Sequence, residues 1–535
     1  MKIYLRAHSF IAQITLALSL VQIMSPCSAQ HIIDPPAADT NETAFFLKAA
    51  EYRPASSALT ANTGRTLEHA AKFLMSDTGI DNNAIRDEQG NKIPPYINHA
   101  VIDDDNHFGY RSSFPAFHHA YLIEAFLNYY NYSGDREALR RARELADWTI
   151  AHSTPSDWKW PYLPWSTFTE GKPGGYEDRD SLQPDKAGYM GLSYTRLYEV
   201  TGSRKYLDSV REIADTLTAR QSGDGSWPFR VNPKTGEVSQ QYTAAIFFNV
   251  AFLEKAFSLI HNYNYKNSQI LAWMWMMRNP LRTDNWSGLY EDIPRESNSQ
   301  VHYSPLQTIR LLLRYRNEVN GKSYLEHAKR LYDYTMDGLS FVDRDMGLLF
   351  REQTGYMAAT PSSTLNWSMM SGEFYLTTGE ERYRATVLEA VRMVDKYGLK
   401  PDGRAHNTVL SPNSYGDYGC WYSLTSPVVR YLYQDMGCLP EIAPEGETHL
   451  LRCSTQVQAI SYQKQKLNYR TLSDSVELIK VARPPIKVLA AGVELKQAAK
   501  LNAPSCYLYN GKSHVLLVRH TNPQISVVFT AVGSK

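Results

Sequence analysis

Four acidic residues lie close together in the segment GGYEDRDSLQPDKAGYMG, directly before a predicted helix. They are Glu177, Asp178, Asp180 and Asp185, and Arg179 lies among them. Cleavage of an acetal such as a glycosidic bond usually needs two carboxyl groups, one as acid and the other as base or nucleophile. Crowded carboxylates raise one another's pKa, so one can stay protonated beside an ionised partner. The segment therefore predicts catalytic carboxyls at Glu177, Asp178 and Asp180, with a solvated turn as the alternative.

Two further loops combine acids with other reactive side chains. In NHAVIDDDNHFGYRSSFPAFHHAY, the pattern predicts catalytic roles for Asp104 and His119 and a carboxylate contact for Arg111. Acids and histidines together also suit a metal ion, but their spacing matches no specific ligand pattern. In WSGLYEDIPRESNSQVHY, the carboxylate of Glu291 follows the aromatic rings of Trp286 and Tyr290, which suits a sugar subsite. The alternative for His119 is that it caps a helix or lies in the core. The alternative for the loop with Glu291 is that it forms a salt bridge.

Aromatic and arginine side chains recur in the polar connections between the predicted helices. The faces of sugar rings carry C–H groups that stack on aromatic rings, and a guanidinium fork is the preferred partner of a carboxylate. The recurrence predicts an acidic oligosaccharide ligand that occupies more than one subsite. A tyrosine-rich core and ordinary surface ion pairs are the alternatives. The candidate binding residues are Arg111, Arg179, Trp158, Trp160, Trp227, Arg230, Trp286, Tyr290, Arg351, Trp367 and Trp421.

A helix–turn–helix unit recurs through the middle of the chain and must position these loops. Its turn carries Gly134, Gly202, Gly321 or Gly379, each where a helix C-cap is expected. A further turn at 261–267 and a lone helix at each end bring the prediction to six hairpins. The first helix of a hairpin has few charges, as in residues 116–130, where Glu124 is the only charged residue. Because such a helix is covered on all sides, the sequence predicts a ring with these helices inside.

The two ends of the chain differ from its middle. Lys2 and Arg6 precede an apolar run too short to span a bilayer, which predicts a signal peptide at 1–29 that is cleaved near Ala29. We expect a lead segment at 30–60, the helical ring at 61–437 and a small antiparallel β-domain at 438–535, where apolar residues alternate with period two. The mature chain is expected to be secreted or periplasmic, without insertion into a membrane. The cysteines of its last quarter lack the paired short spacing of a zinc site.

With its repeated TG turns and its DGSWPF and WSGLYED loops, the sequence resembles the α/α-toroid superfamily, which includes six-hairpin glycosidases, polysaccharide lyases and uronyl epimerases. The resemblance covers about residues 60–437. It implies a mainly α fold, an (α/α)6 toroid, that binds a polysaccharide or oligosaccharide. The sequence contains no catalytic signature of one particular family, so the fold leaves the reaction open.

These observations together favour a glycoside hydrolase that cleaves a uronic-acid-containing glycan with paired carboxylates. A polysaccharide lyase, a uronyl C5-epimerase and a non-catalytic glycan-binding ring are the alternatives. The net charge of +1 gives no indication of nucleic-acid binding. We expect no cofactor, because the sequence has neither a glycine-rich phosphate loop nor a metal-binding motif.

Overall fold

The computed structural model describes residues 43–51, 53, 57–76, 100–102, 108–110, 115–166, 168–169, 172–173, 181–287, 300–315, 322–354, 356–406 and 420–530. Up to residue 438 these residues are mainly helical. The helices are α1 (Thr43–Ala49), α2 (Ser57–Met75), α3 (Ala120–Ser133), α4 (Arg136–Ala151), α5 (Pro184–Thr201), α6 (Arg204–Ala219), α7 (Phe247–Ile260), α8 (Tyr263–Arg278), α9 (Pro280–Thr283), α10 (Tyr303–Arg314), α11 (Lys322–Leu339), α12 (Pro361–Thr378), α13 (Glu381–Tyr397) and α14 (Ser426–Cys438).

Six of these helices form the inside of a closed ring. They are α3, α5, α7, α10, α12 and α14; each packs against the next, and α14 packs against α3. The outer helices are α2, α4, α6, α8, α11 and α13. The inner helix α3 buries 12 of its 14 residues, whereas the outer helix α4 buries 6 of 16. The predicted toroid, with its weakly charged helices inside, is therefore confirmed.

Left-handed residues end several inner helices and allow the chain to turn back into an outer helix. Gly134, Gly202 and Gly379 have φ values of 74°, 69° and 74°, and each donates its backbone N–H to a carbonyl four residues earlier. An L-residue is strained at these angles, so glycine fits best. His261 takes the same conformation at the end of α7, with φ of 59°. Gly321 lies outside the described residues.

Short strands decorate the connections that lead into the inner helices. They are β1 (Ala100–Ile102), β2 (Phe108–Tyr110), β3 (Phe168–Thr169), β4 (Lys172–Pro173), β5 (Arg230–Val231), β6 (Val238–Gln240), β7 (Ser340–Asp343), β8 (Gly347–Gln353), β9 (Tyr356–Ala359) and β10 (Cys420–Trp421). β1 pairs with both β2 and β10, which links the loop before α3 to the loop before α14. The long polar connections therefore gather at the end of the ring where the inner helices begin.

The C-terminal part consists of two five-stranded sheets. One has the order β11–β14–β19–β18–β17 and the other β12–β13–β20–β15–β16. All pairings are antiparallel except that of β17 with β18. The strands are β11 (His449–Cys453), β12 (Val457–Gln463), β13 (Lys466–Thr471), β14 (Ser475–Lys480), β15 (Pro485–Ala490), β16 (Val493–Glu494), β17 (Lys496–Gln497), β18 (Cys506–Asn510), β19 (Val515–His520) and β20 (Gln524–Phe529).

The β-domain packs against the end of the ring where the inner helices finish. The hydroxyl of Tyr462 donates to the carbonyl of Asn131 at 2.5 Å, near the end of α3. Gln458 donates to the carbonyl of Glu199, near the end of α5, at 3.0 Å. The ring of His449 stacks on Tyr132 with the centroids 3.8 Å apart. The β-domain therefore lies opposite the strand-decorated loops.

Two further observations concern thiols and membranes. Cys438, Cys453 and Cys506 are free thiols. Among the helices of the described residues, none combines the length and the apolar character that a membrane crossing requires.

The ring closes where the first outer helix, α2, meets the last one, α13, and this contact contains a titratable group. Asp395 of α13 accepts a hydrogen bond from the hydroxyl of Thr63 at 3.1 Å. Burial raises the pKa of Asp395 to about 7, although Thr66, Thr63 and Arg65 act in the opposite direction. The contact between α2 and α13 therefore contains a carboxyl group that stays protonated up to about pH 7.

Stability is expected to fall as the pH rises from about 4 to about 7 because of Asp395. In that window the folded state holds a proton that the unfolded chain has already released. Asp395→Asn keeps the acceptor for Thr63 and removes the charge, so we expect it to stabilise the protein at pH 8 by about 1–3 kcal/mol. Urea unfolding of both proteins at pH 5 and pH 8 measures this. An unchanged pH dependence in the variant would contradict the assignment.

Candidate active site

Five aromatic side chains meet at the centre of the ring and close it. Phe117 lies in a π-helical turn, Pro115–His119, that leads into α3, and Tyr121, Tyr189, Phe248 and Tyr303 come from α3, α5, α7 and α10. Phe117 and Tyr121 lie 5.5 and 5.8 Å from Tyr303, between the centroids of the rings. Because α3 and α10 stand opposite each other in the ring, these contacts cross its axis. All five are buried, and we call them the aromatic plug.

Two neighbouring tyrosines of the plug, Tyr121 and Tyr189, stay protonated. Tyr121 and Tyr189 lie 5.5 Å apart. Burial raises the pKa of both hydroxyls well above the ordinary value of tyrosine, and for Tyr189 this outweighs the opposing charge of Arg430. Each can therefore donate a hydrogen bond at neutral pH, and neither is suited to act as a base.

Of the two histidines at the start of α3, His118 faces the plug and His119 does not. His118 is half-buried, its ring lies 5.6 Å from Phe117, and its Nδ1 lies 3.3 Å from the hydroxyl of Ser423. His119 is buried, and its Nδ1 lies 2.8 Å from the hydroxyl of Thr149 on the outer helix α4. His119 therefore faces α4, and its catalytic role stays a prediction.

Two cations lie on the loop side of the plug. The ammonium of Lys186, at the start of α5, is 5.5 Å from the centroid of Phe117 and 5.3 Å from that of Phe229. The guanidinium of Arg230 lies 4.6 Å from the same Phe229 ring and donates to the side chain of Gln240. Cations are attracted to the negative faces of aromatic rings. Phe229 thus holds two positive charges together beside the plug.

An ion pair lies on the other side of the plug, toward the β-domain. The carboxylate of Glu124 is 3.2 Å from the guanidinium of Arg430, and it accepts a hydrogen bond from Gln434 at 2.9 Å. Arg430 donates to the hydroxyl of Tyr189 at 2.6 Å and lies over the ring of Tyr121 at 4.3 Å. The underside of the plug is therefore sealed by a charged, hydrogen-bonded layer.

Glu124 remains ionised in this layer. Burial would raise the pKa of its carboxyl group, but the positive charges of Arg430, Arg310 and Arg196 more than compensate and hold the pKa below its ordinary value. Its carboxylate is therefore held in ion pairs beneath the plug.

Comparisons with known proteins agree with this architecture. Residues 121–296, less than half of the chain, match the profile described as Glycosyl hydrolase family 47. None of the curated proteins matches the sequence significantly. A structure of D-mannose isomerase is similar with a TM-score of 0.55 at 13% identity, covering 73% of this chain and 100% of that chain. A sugar epimerase from a ruminal bacterium gives a TM-score of 0.53 at 10% identity, covering 70% and 98%. The chain has the α/α-toroid fold that these solved structures share.

A hydrolase of the same fold is also similar. The family 76 α-mannanase from Bacteroides thetaiotaomicron has a TM-score of 0.50 at 12% identity, covering 70% of this chain and 98% of that chain. These similarities show the fold of the chain, and the matched profile is that of a glycosyl hydrolase family. They leave hydrolysis and epimerisation as separate possibilities for the reaction.

Four tryptophans predicted as sugar platforms belong instead to the core of the toroid. Trp227 is 1% exposed, and its indole N–H donates to the carbonyl of Leu217 at 2.8 Å. Trp367 is completely buried and stacks on Phe350 at 4.7 Å. Trp160 and Trp286 are buried too. These four rings are buried, and their role in stacking on sugars stays a prediction.

Of the other predicted binding residues, some are half-buried and the rest lie outside the described residues. Trp158 is half-buried and lies edge-on to Trp165, so part of its ring remains accessible. Arg351 of β8 is half-buried over the ring of Phe341 at 4.7 Å. The backbone of Trp421 pairs with Val101, and its side chain lies outside the described residues. So do the residues Asp104, Arg111, Glu177, Asp178, Arg179, Asp180, Tyr290 and Glu291.

Of the four acids in the predicted carboxylate cluster, Asp185 is the one that lies within the described residues. It is fully buried at the second position of α5, directly after Pro184 and directly before Lys186. The plug and the ion pair beneath it were missed, although Glu124 already stood out as the only charge in an otherwise apolar stretch. Nowhere in these described segments do three histidine, cysteine or acidic side chains come close enough to hold a metal ion.

Proposed function

We propose that this toroid is a secreted glycoside hydrolase that cleaves an acidic, uronic-acid-containing glycan on the loop side of the plug. The observation that supports this is the pair of cations at Phe229, Lys186 and Arg230. A uronic acid offers a carboxylate to such cations. The leader predicted at 1–29 supports export, after which the mature chain would begin near Gln30.

The proposed reaction uses two carboxyl groups from the start of α5 and the loop before it. Asp185 is held by the helix, and Glu177, Asp178 and Asp180 precede it by a few residues. One carboxyl would protonate the glycosidic oxygen, and the other would attack the sugar or activate water. Glu124 is held in ion pairs with arginines beneath the plug, so we assign the catalytic pair to the loop side of the ring.

His118 supports epimerisation as a second candidate. Its half-buried imidazole stands beside the plug, close to Ser423, on the side where the inner helices begin. An imidazole titrates near neutral pH and can remove and return a proton at a sugar carbon. Such a reaction would change the configuration of a sugar and leave the chain length unaltered.

Product analysis separates these functions. We would incubate the chain lacking residues 1–29 with uronic-acid polysaccharides and, as matched controls, with neutral mannan and cello-oligosaccharides. We expect new reducing ends from the acidic substrates alone, without ultraviolet absorbance from a 4,5-unsaturated uronate. Such absorbance would instead identify a lyase, and an altered sugar at constant chain length would identify an epimerase. Turnover of the neutral glycans alone would contradict the acidic substrate.

A further inference from the structure

On the side of the plug that faces the β-domain, three inner helices carry a positively charged side chain at the same distance in sequence from their plug residue. Arg196, Lys255 and Arg310 each follow a plug residue of the same helix, Tyr189, Phe248 and Tyr303, by seven positions. Seven residues make almost two complete helical turns, so each charge lies on the same helix face as its plug residue, about 10 Å further along. The three charges therefore lie at a common level beneath the plug.

Positive charge exceeds negative charge in this region. The four cations Arg196, Lys255, Arg310 and Arg430 face two carboxylates, Glu124 and Glu199, which leaves a surplus of two positive charges. Glu199 is already paired with Lys255 at 2.6 Å. Burial and the neighbouring charge of Arg310 lower the pKa of Arg196, against the opposing effects of Glu124 and Glu199. An anionic ligand would compensate this surplus of positive charge.

Glu124 lies too far from Arg196 and Arg310 to accept hydrogen bonds from their guanidinium groups. Nη1 of Arg196 and Nη1 of Arg310 approach the same carboxylate oxygen, Oε1, at 4.0 and 3.9 Å, which is beyond hydrogen-bond distance. Arg196 reaches Asn128 and Gln456 with its other nitrogens. Arg310 makes no hydrogen bond with any described residue. Its guanidinium fork is therefore free to take a ligand.

Solvent reaches this cluster, and it does so independently of the proposed active site. The side chains of Arg310, Lys255 and Arg196 are 42%, 38% and 23% exposed. The plug and Arg430 separate them from Lys186 and Arg230 on the loop side. The β-domain contacts the ends of α3, α5 and α14, and a ligand would enter beside it.

We propose that Arg196, Lys255 and Arg310 form a second binding site, the cationic site, for a small oxyanion such as a sulfate or a carboxylate. Guanidinium forks bind such groups through paired N–H···O bonds. The two possible sources are a free inorganic oxyanion and the acidic group of a short saccharide. The ligand would neutralise the surplus charge and connect α5, α7 and α10 beneath the plug.

Calorimetric titration at low, constant ionic strength tests the site with two probes, sodium sulfate and sodium D-glucuronate. We expect at least one of them to bind the wild-type protein, and the tighter probe identifies the source. Arg310→Gln should weaken that binding at least about tenfold, since a hydrogen bond to a charged group contributes about 1.5–3 kcal/mol. Arg330→Gln is the matched control, because Arg330 is similarly exposed but pairs with Asp284 on the outside of the ring.

Arg310→Lys provides a second variant in case the glutamine variant does not fold. It keeps the charge and loses the fork, so binding should weaken several-fold. Three results would overturn the proposal: no binding of either probe to the wild type, unchanged affinity in the Arg310 variants, or an equal loss in the Arg330 control. None of these depends on enzymatic activity, so the outcome is distinct from that of the product analysis.

Discussion

Replacing Glu124 by glutamine is expected to lower the free energy of unfolding by about 3–5 kcal/mol, the usual cost of removing one partner from a buried ion pair. The variant keeps the shape of the side chain and removes the carboxylate that faces Arg430 at 3.2 Å and two further arginines at about 4 Å. Glu124 is 14% exposed and Arg430 is 2% exposed, so water cannot replace the lost charge. Urea unfolding at pH 7, followed by tryptophan fluorescence, measures the change.

Glu144→Gln is the matched control for this prediction. Glu144 also pairs with an arginine, Arg140 at 2.7 Å, but on the exposed face of the outer helix α4. We expect a change of less than about 1 kcal/mol there, because exposed pairs contribute little. Since the folded-state pKa of Glu124 is depressed, its stabilising effect should be present above about pH 4.5 and be lost as the pH falls further. Equal changes in the two variants would show that the central pair does not stabilise the ring.

Replacing Asp178 or Asp180 by asparagine is expected to lower kcat at least about 100-fold in one of the two variants, the smallest usual effect of losing an acid–base group. Asparagine keeps the size of the side chain but can neither protonate a leaving group nor activate water. Initial rates of reducing-end release from the acidic polysaccharide that proves to be the substrate measure the effect. A binding protein without activity would have no turnover to lose and would keep its affinity for the glycan.

Asp157→Asn is the control on the same side of the ring. Asp157 is exposed in the loop before β3, and its replacement should leave kcat unchanged. Thermal unfolding of all three variants shows whether a lost rate reflects lost structure. Full activity in both the Asp178 and Asp180 variants would exclude these two acids and direct attention to Asp185 and Glu291.

The architecture could be predicted from the sequence because it depends on periodic signals. Glycines with positive φ at Gly134, Gly202 and Gly379 end inner helices, and the low charge of α3 set it apart from α4. Such signals are local, and each is repeated from hairpin to hairpin. The closed ring of six pairs follows from their number and order.

The orientation of individual side chains could not be predicted in the same way. A π-helical turn at Pro115–His119 shifts the phase of the helix, so that His118 faces the plug and His119 faces α4. The segment DGSWPF indicates a loop but not that Trp227 turns back beneath α6 to donate to Leu217. The seven-residue spacing from Tyr189 to Arg196 and from Tyr303 to Arg310 is visible in the sequence. Its meaning depends on knowing that α5 and α10 face the same axis.

The contacts of Phe117 and Tyr121 with Tyr303 across the axis have a consequence for how a polymer can be handled. A ring with an obstructed centre has one mouth, so a long glycan, the substrate that we propose, cannot thread through it and emerge on the far side. Substrate must arrive end-on or lie across the mouth, and product must leave by the route it entered. Such a dead-end geometry favours repeated release and rebinding over continuous sliding along a polymer.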